Sequence, residues 1–124
     1  QSITIMNKIK IGYYVATGLL SLMLLGSVIG FYFLQTDVAQ GAFTALGYPA
    51  YLVIPLGVLK LAGVATLLTR FNARVVEWAY AAFAINFSLA ITAHLSVGDG
   101  EAGGAMAALV LLVISYILGV KSSS

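Results

Sequence analysis

The segment PAYLVIPLGVLKLAGVATLLTRFNARVVEWAYAAFAINFSLAITAHL (residues 49–95) carries two long apolar runs on either side of the polar pentapeptide RFNAR (residues 70–74). A helix needs about 20 mostly apolar residues to cross a bilayer, and each run has that length. The pentapeptide is short enough to join two antiparallel neighbours. Residues 49–69 and 75–95 are therefore predicted to form a transmembrane helical hairpin.

The flanking sequence adds one predicted helix on each side of this hairpin. Residues 11–34 contain no charged side chain, and residues 105–120 form a shorter apolar run. The polar residues of segment 35–47 and the acidic, glycine-rich segment 96–104 are typical of loops. We therefore predict an all-α fold, a transmembrane four-helix bundle that forms a single domain over residues 1–124.

The composition supports a membrane protein and excludes several classes of site. Of 124 residues, 61% are hydrophobic and 8% are charged, whereas a soluble domain has about 25% charged residues. Without cysteine and with the single histidine His94, the chain offers no thiolate site and no multi-histidine metal site. The basic residues form no patch that would bind nucleic acid. We expect no metal and no intrinsic cofactor.

The charged residues divide between the two ends of the predicted bundle. One end has only basic residues, namely Lys8, Lys10, Arg70, Arg74 and Lys121. The other end has only acidic residues, namely Asp37, Asp99 and Glu101. Short loops rich in lysine and arginine stay in the cytoplasm, so we expect both termini to be cytoplasmic.

Three ionisable residues remain inside the predicted helices: Lys60, Glu77 and His94. Such residues are costly in a membrane and normally face a bundle interior or an aqueous cavity. Gly57 and Gly63 flank Lys60 and leave space beside it. Alternating spacings of 3 and 4 place one row of side chains on a single face of helix three, namely Glu77, Tyr80, Ala84, Phe87, Ile91 and His94.

Folding the hairpin suggests partners for Lys60. We expect a direct or water-mediated link between Lys60 and Glu77, because two extended side chains nearly span their axial offset. Asn86 lies level with Lys60 and is the weaker candidate, since it points away from the row that contains Glu77.

Each candidate also has a purely structural interpretation. Lys60 can hold helices together through carbonyl contacts, and Glu77 can cap the positive end of helix three. His94 can be a hydrogen-bonded residue at the membrane boundary. Tyr80 and Phe87 can be core packing rather than walls around a flat hydrophobic ligand.

Four motifs together resemble the DoxX-like family of small four-helix membrane proteins. They are Leu46-Gly47-Tyr48-Pro49, Gly57-Val58-Leu59-Lys60, Glu77-Trp78-Ala79-Tyr80-Ala81, and His94 followed by Gly98-Asp99. Ala82 departs from the glycine expected after the third motif. The resemblance covers roughly residues 12–120, adds Trp78 to the candidate residues, and implies the four-helix fold. We expect the bacterial cytoplasmic (inner) membrane as the location.

The family includes a membrane subunit of a thiosulfate:quinone oxidoreductase and an animal chaperone for receptor assembly, so fold alone does not assign an activity. Three functions remain open. The first is binding of a quinone or lipid in a cleft around Lys60 and Glu77, as a subunit of a membrane redox system. The second is a non-catalytic assembly protein, or one that self-associates, whose Lys60 faces a partner helix. The third is a small transporter or proton pathway.

Overall fold

The computed structural model describes residues 3–100 and 102–123, and all of their regular elements are helical. The chain forms α1 (Ile3–Gly26), a π-helical segment (Ser27–Phe33), α2 (Thr36–Ala45), a 3₁₀ turn (Ala50–Leu52), α3 (Val53–Thr69), α4 (Ala73–Val97) and α5 (Ala102–Ser123). Glu101, an acidic residue singled out above, lies outside the described residues.

Four helices in the described residues are long and apolar enough to cross a membrane. They are Ile3–Gly30, Ala50–Thr69, Ala73–Val97 and Ala102–Ser122. The predicted all-α fold with four spans is therefore confirmed.

The hairpin between α3 and α4 closes through two local devices. Arg70 ends α3 in the left-handed conformation, with φ 47° and ψ 40°. Asn72 then caps α4, because its Oδ1 accepts hydrogen bonds from the backbone N–H groups of Arg74 (2.9 Å) and Val75 (3.2 Å). The pentapeptide that separates the two apolar runs thus ends one helix and starts the next.

The prediction of a loop over residues 35–47 is wrong, because most of this segment is α2. Asp37 and Thr44 lie on the exposed side of a short amphipathic helix, while Ala39 is buried and Phe43 is half-buried. Asp37 lies in the first turn, where a negative charge favours the helix. The hydroxyl of Thr36 donates to the carbonyls of Tyr32 (2.9 Å) and Phe33 (3.0 Å) and joins α2 to the π-helical segment.

The first membrane helix also differs from its predicted bounds of 11–34. It begins by Ile3 and changes at Ser27 from α- to π-helical geometry. A π-helix adds residues to each turn and so rotates the side chains that follow. The last turns of this helix therefore present Tyr32 to the interior, where it is 6% exposed.

The bundle is packed unevenly. The contacts of α5 with α1 and α4 are the most extensive, whereas α3 and α4 touch each other over a smaller area although they are neighbours along the chain. The main core joins α1, α3, α4 and α5 through residues that include Tyr13, Leu20, Leu67, Tyr80, Phe83 and Leu112. The α3 side of the bundle is therefore the more open side.

Candidate functional site

A large cavity lies at the end of the bundle that carries Asp37 and Asp99, and we call it the chamber. Its volume is about 980 Å³. Every membrane helix contributes to its wall, and α2 covers part of it. Most of the wall is apolar, and its polar side chains are Ser27, Tyr32, Tyr48, Lys60, Asn86, His94 and Asp99.

Lys60 lies in the chamber wall, and its partner is Tyr32. The Lys60 Nζ donates a hydrogen bond to the Tyr32 hydroxyl at 2.8 Å and lies 4.5 Å from the centre of the Tyr32 ring. Gly57 provides the room for this arrangement, because a Cβ atom there would lie 3.3 Å from Cδ2 of Tyr32. Lys60 therefore points into the protein and not towards the surrounding lipid.

The predicted direct link between Lys60 and Glu77 is wrong. Glu77 is exposed on α4, on the side that lies near Tyr116 of α5. The buried row on α4 consists of Val76, Tyr80, Phe83 and Phe87, so it begins one position before Glu77. Successive residues of a helix are rotated by about 100°, so Glu77 points away from the side of α4 on which Val76 is buried. The chamber is therefore lined by Lys60 but not by Glu77.

Two further candidates on α4, Asn86 and Phe87, also line the chamber. Phe87 is buried and stacks on Phe83, with ring centroids 5.7 Å apart and an angle of 15° between the planes. Asn86 is half-buried. The chamber thus brings together Lys60, an amide and an aromatic wall.

His94 lies at the mouth of the chamber and pairs with Asp99. The distance between Nδ1 of His94 and Oδ2 of Asp99 is 2.8 Å, and the side chains are 22% and 34% exposed. Gly98, at φ 67°, ends α4 and turns the chain so that Asp99 comes back towards His94. The pair therefore borders both the chamber and the surroundings of the bundle.

A second, smaller cavity of about 300 Å³ runs between α3 and α4, and we call it the groove. It contains Trp78, a candidate from the family motif, which is 63% exposed. Small residues shape its walls, among them Gly63, Ala79 and Ala82. Lys60 and Asn86, together with Leu56, line the groove as well as the chamber, so the two cavities adjoin at these residues.

Tyr80, the remaining candidate, belongs to a different site near the opposite end of the bundle. Its hydroxyl lies 2.6 Å from the Ser115 hydroxyl, which lies 2.6 Å from the Thr17 hydroxyl. The Tyr80 hydroxyl also donates to that of Tyr13 at 3.5 Å. We call Tyr13, Thr17, Tyr80 and Ser115 the hydroxyl cluster, and all four residues are buried.

Arg70 connects this cluster to the exposed end of the bundle. Its Nη1 donates to the Tyr13 hydroxyl at 2.9 Å, and that hydroxyl in turn donates to the Leu67 carbonyl at 2.8 Å. Partial burial lowers the pKa of Arg70, but the hydrogen bond and the charge interaction with Tyr13 outweigh it and raise the pKa overall. The guanidinium therefore stays charged while it anchors the cluster.

The sequence patterns missed Tyr32 and three members of the hydroxyl cluster, namely Tyr13, Thr17 and Ser115. Tyr32 lies in an apolar run whose periodicity changes with the π-helical segment, so no helical spacing places it beside Lys60. Tyr13, Thr17 and Ser115 come from opposite ends of the chain. Their shared feature, a polar side chain within an apolar span, is the signal that identified Lys60.

Four membrane-crossing helices around an apolar chamber define a small helical integral membrane protein. The model of the DoxX-like family matches residues 15–118. The chain therefore belongs to the DoxX-like family, and the resemblance of its motifs is confirmed. No curated protein and no solved structure matches the chain.

Proposed function

We propose that this protein binds a hydrophobic small molecule, a quinone or a lipid, in the chamber. The observation that carries this proposal is the position of Lys60, which lies in the wall of a large apolar cavity within the membrane-spanning region. Ligand sites are typically cavities of about 300–1,000 Å³, mostly apolar, with a few polar groups that orient the ligand. The chamber has this size and this distribution of groups.

The residues of the chamber have distinct roles in this proposal. Lys60 donates a hydrogen bond to an oxygen atom of the ligand's head group, since an ammonium group has three N–H donors and Tyr32 accepts from one of them. Phe87 and Phe43 pack against the apolar part of the head group. His94, with Asp99 beside it, is placed to exchange protons at the mouth.

The orientation of Lys60 favours ligand binding over the two other functions. An assembly protein that uses Lys60 to engage a partner helix requires this side chain on the outer surface, whereas Lys60 bonds to Tyr32 inside. A proton pathway through Glu77, Lys60 and His94 requires these three residues in one line, and Glu77 lies on the exposed face of α4. A role in a redox system follows if the ligand is a quinone that exchanges electrons with a partner protein.

The test is the identity and amount of ligand that the protein retains. The protein is purified in a mild detergent and extracted with organic solvent, and quinones and lipids are quantified per mole of protein by mass spectrometry. We expect a stoichiometric ligand in the parent protein and its loss in Lys60→Met. The control is Lys10→Met, which removes an exposed lysine near the start of α1. Equal retention by parent and Lys60→Met would refute the proposed role of Lys60.

We also propose that the protein resides in the bacterial inner membrane with both termini in the cytoplasm. The support is the separation of charges, because all the basic residues outside the chamber lie near the end of the bundle that carries Arg70 and Arg74. Positively charged segments of this kind are retained on the cytoplasmic side.

A further inference from the structure

The junction of chamber and groove carries information about the shape of the ligand. The two cavities share Leu56, Lys60 and Asn86, so a molecule bound at these residues has space on both sides. The chamber holds further polar groups, including Tyr48 and His94, whereas the groove wall away from the junction is apolar apart from Thr66 and the indole of Trp78. A ligand that fills both is polar at one end and apolar at the other.

We propose that the ligand is a single-chain amphiphile whose oxygen-bearing head group occupies the chamber at Lys60 and whose apolar chain lies in the groove between α3 and α4. This inference rests on the proposed function and specifies the ligand class. Because the apolar tail of the ligand lies in the groove, the groove is also the route by which the ligand enters from the bilayer.

The volume of the groove suits a single apolar ligand tail. Its volume is about 300 Å³, against about 980 Å³ for the chamber, so the groove is the smaller of the two spaces. Ala79 and Ala82 leave this volume free because their side chains are short. The space thus matches one extended segment of an acyl or isoprenoid chain.

The groove also opens to the bilayer. Leu59 on α3 and Trp78 on α4 line it and are 65% and 63% exposed. In a membrane-spanning bundle, such exposed apolar side chains contact lipid. An apolar ligand tail that extends from Lys60 along the groove therefore reaches the hydrocarbon region of the bilayer. The part of the tail beyond the groove needs no further space in the protein.

Trp78 provides a direct measurement of groove occupancy, since it is the single tryptophan in the sequence. Bromine atoms quench tryptophan fluorescence at short range. We would titrate the full chain in non-brominated detergent with a fatty acid brominated at mid-chain, and with the corresponding brominated alkane as the control without a head group. We expect saturable quenching by the acid and only a linear, non-saturable component from the alkane.

Two variants separate the head group from the chain. Lys60→Met should weaken the saturable phase about tenfold or more, because a hydrogen bond to a charged group is lost. Ala82→Leu should weaken it to a similar extent by filling the groove. The matched control is Ala81→Leu, which adds the same side chain at the neighbouring exposed position of α4 and should bind as the parent does.

A second pair of probes distinguishes a quinone from a lipid. Decylubiquinone and the same benzoquinone ring without its decyl chain both quench tryptophan directly. If the ligand is a quinone, decylubiquinone gives a saturable phase at lower concentration than the acid does and loses affinity in Ala82→Leu. If the ligand is a lipid, the acid binds more tightly than the quinone. Whichever of the two probes binds more tightly, saturable binding that Ala82→Leu weakens supports a ligand with a single apolar tail.

One result would overturn this inference and leave the proposed function intact. If the chainless ring binds as tightly as decylubiquinone, and Ala82→Leu binds as the parent does while Lys60→Met does not bind, the chamber holds the ligand without the groove. If neither probe gives a saturable phase and Lys60→Met equals the parent, both proposals fail.

Discussion

Lys60 illustrates how a single residue shapes the site. A charged side chain at the centre of a membrane helix costs a few kcal/mol on insertion scales, so it needs polar neighbours. The Tyr32 hydroxyl at 2.8 Å provides one, and the chamber surrounds the pair. The same pair is therefore required for stability and available for a ligand.

Removing the Tyr32 hydroxyl should affect both properties. We expect Tyr32→Phe to lower the unfolding free energy in detergent by about 1–2 kcal/mol, because the ring stays but Lys60 loses its hydrogen bond. Ligand retention should fall as well. Thermal unfolding and solvent extraction measure the two effects, and Tyr51→Phe is the control, since Tyr51 is exposed. Equal losses in both variants would contradict this assignment.

Ser115 has a comparable position in the hydroxyl cluster. It is fully buried and bridges Thr17 to Tyr80, so Ser115→Ala leaves two hydroxyls without this partner. We expect a loss of about 1–2 kcal/mol in unfolding free energy, near the upper end for hydrogen bonds between membrane helices. The control is Thr92→Ala, because the exposed Thr92 bonds only within α4, to the Ser88 carbonyl. A stability equal to that of this control would argue against a structural role for the cluster.

At the scale of the elements, the long membrane helices were predictable from the sequence, whereas the short helix α2 and the π-helical segment were not. An apolar run of about 20 residues has few alternatives to a membrane helix, so four spans follow from the sequence. The amphipathic helix α2 is too short and too polar for that signal. The π-helical segment depends on how α1 packs. It turns the Tyr32 side chain towards Lys60, so Tyr32 and not Glu77 is the hydrogen-bond partner of Lys60.

The close contact of the Phe83 ring of α4 with α3 depends on Gly63. A Cβ atom there would lie 2.5 Å from Cζ of Phe83, so Gly63→Ala must displace a ring that is stacked on Phe87. We expect a destabilisation of about 1–3 kcal/mol, as for overpacked cores. Gly18→Ala is the matched control, since a Cβ atom at Gly18 meets nothing within 4 Å. Thermal unfolding of both variants measures the difference, and a Gly63→Ala protein as stable as this control would disprove the close contact.

At the scale of the whole molecule, the two polar sites lie towards opposite ends of the bundle. The hydroxyl cluster and Arg70 join α1, α3, α4 and α5 near the end that contains Arg74. The chamber occupies the end that contains Asp37 and Asp99. One end is thus held by a buried hydrogen-bond network, and the other end contains the space for a ligand.

This polarity, together with the separation of charges, predicts the orientation in the membrane. Because the chain contains no cysteine, one introduced cysteine reports the position of one residue. We chose Asn7→Cys near the start of α1 and Thr44→Cys in α2, both of which replace exposed polar side chains. In spheroplasts, a membrane-impermeant maleimide should label Thr44→Cys at once and Asn7→Cys only after lysis, because short segments rich in lysine and arginine are generally retained in the cytoplasm. The reverse pattern would place the chamber on the cytoplasmic side, and His94 would then exchange protons with the cytoplasm.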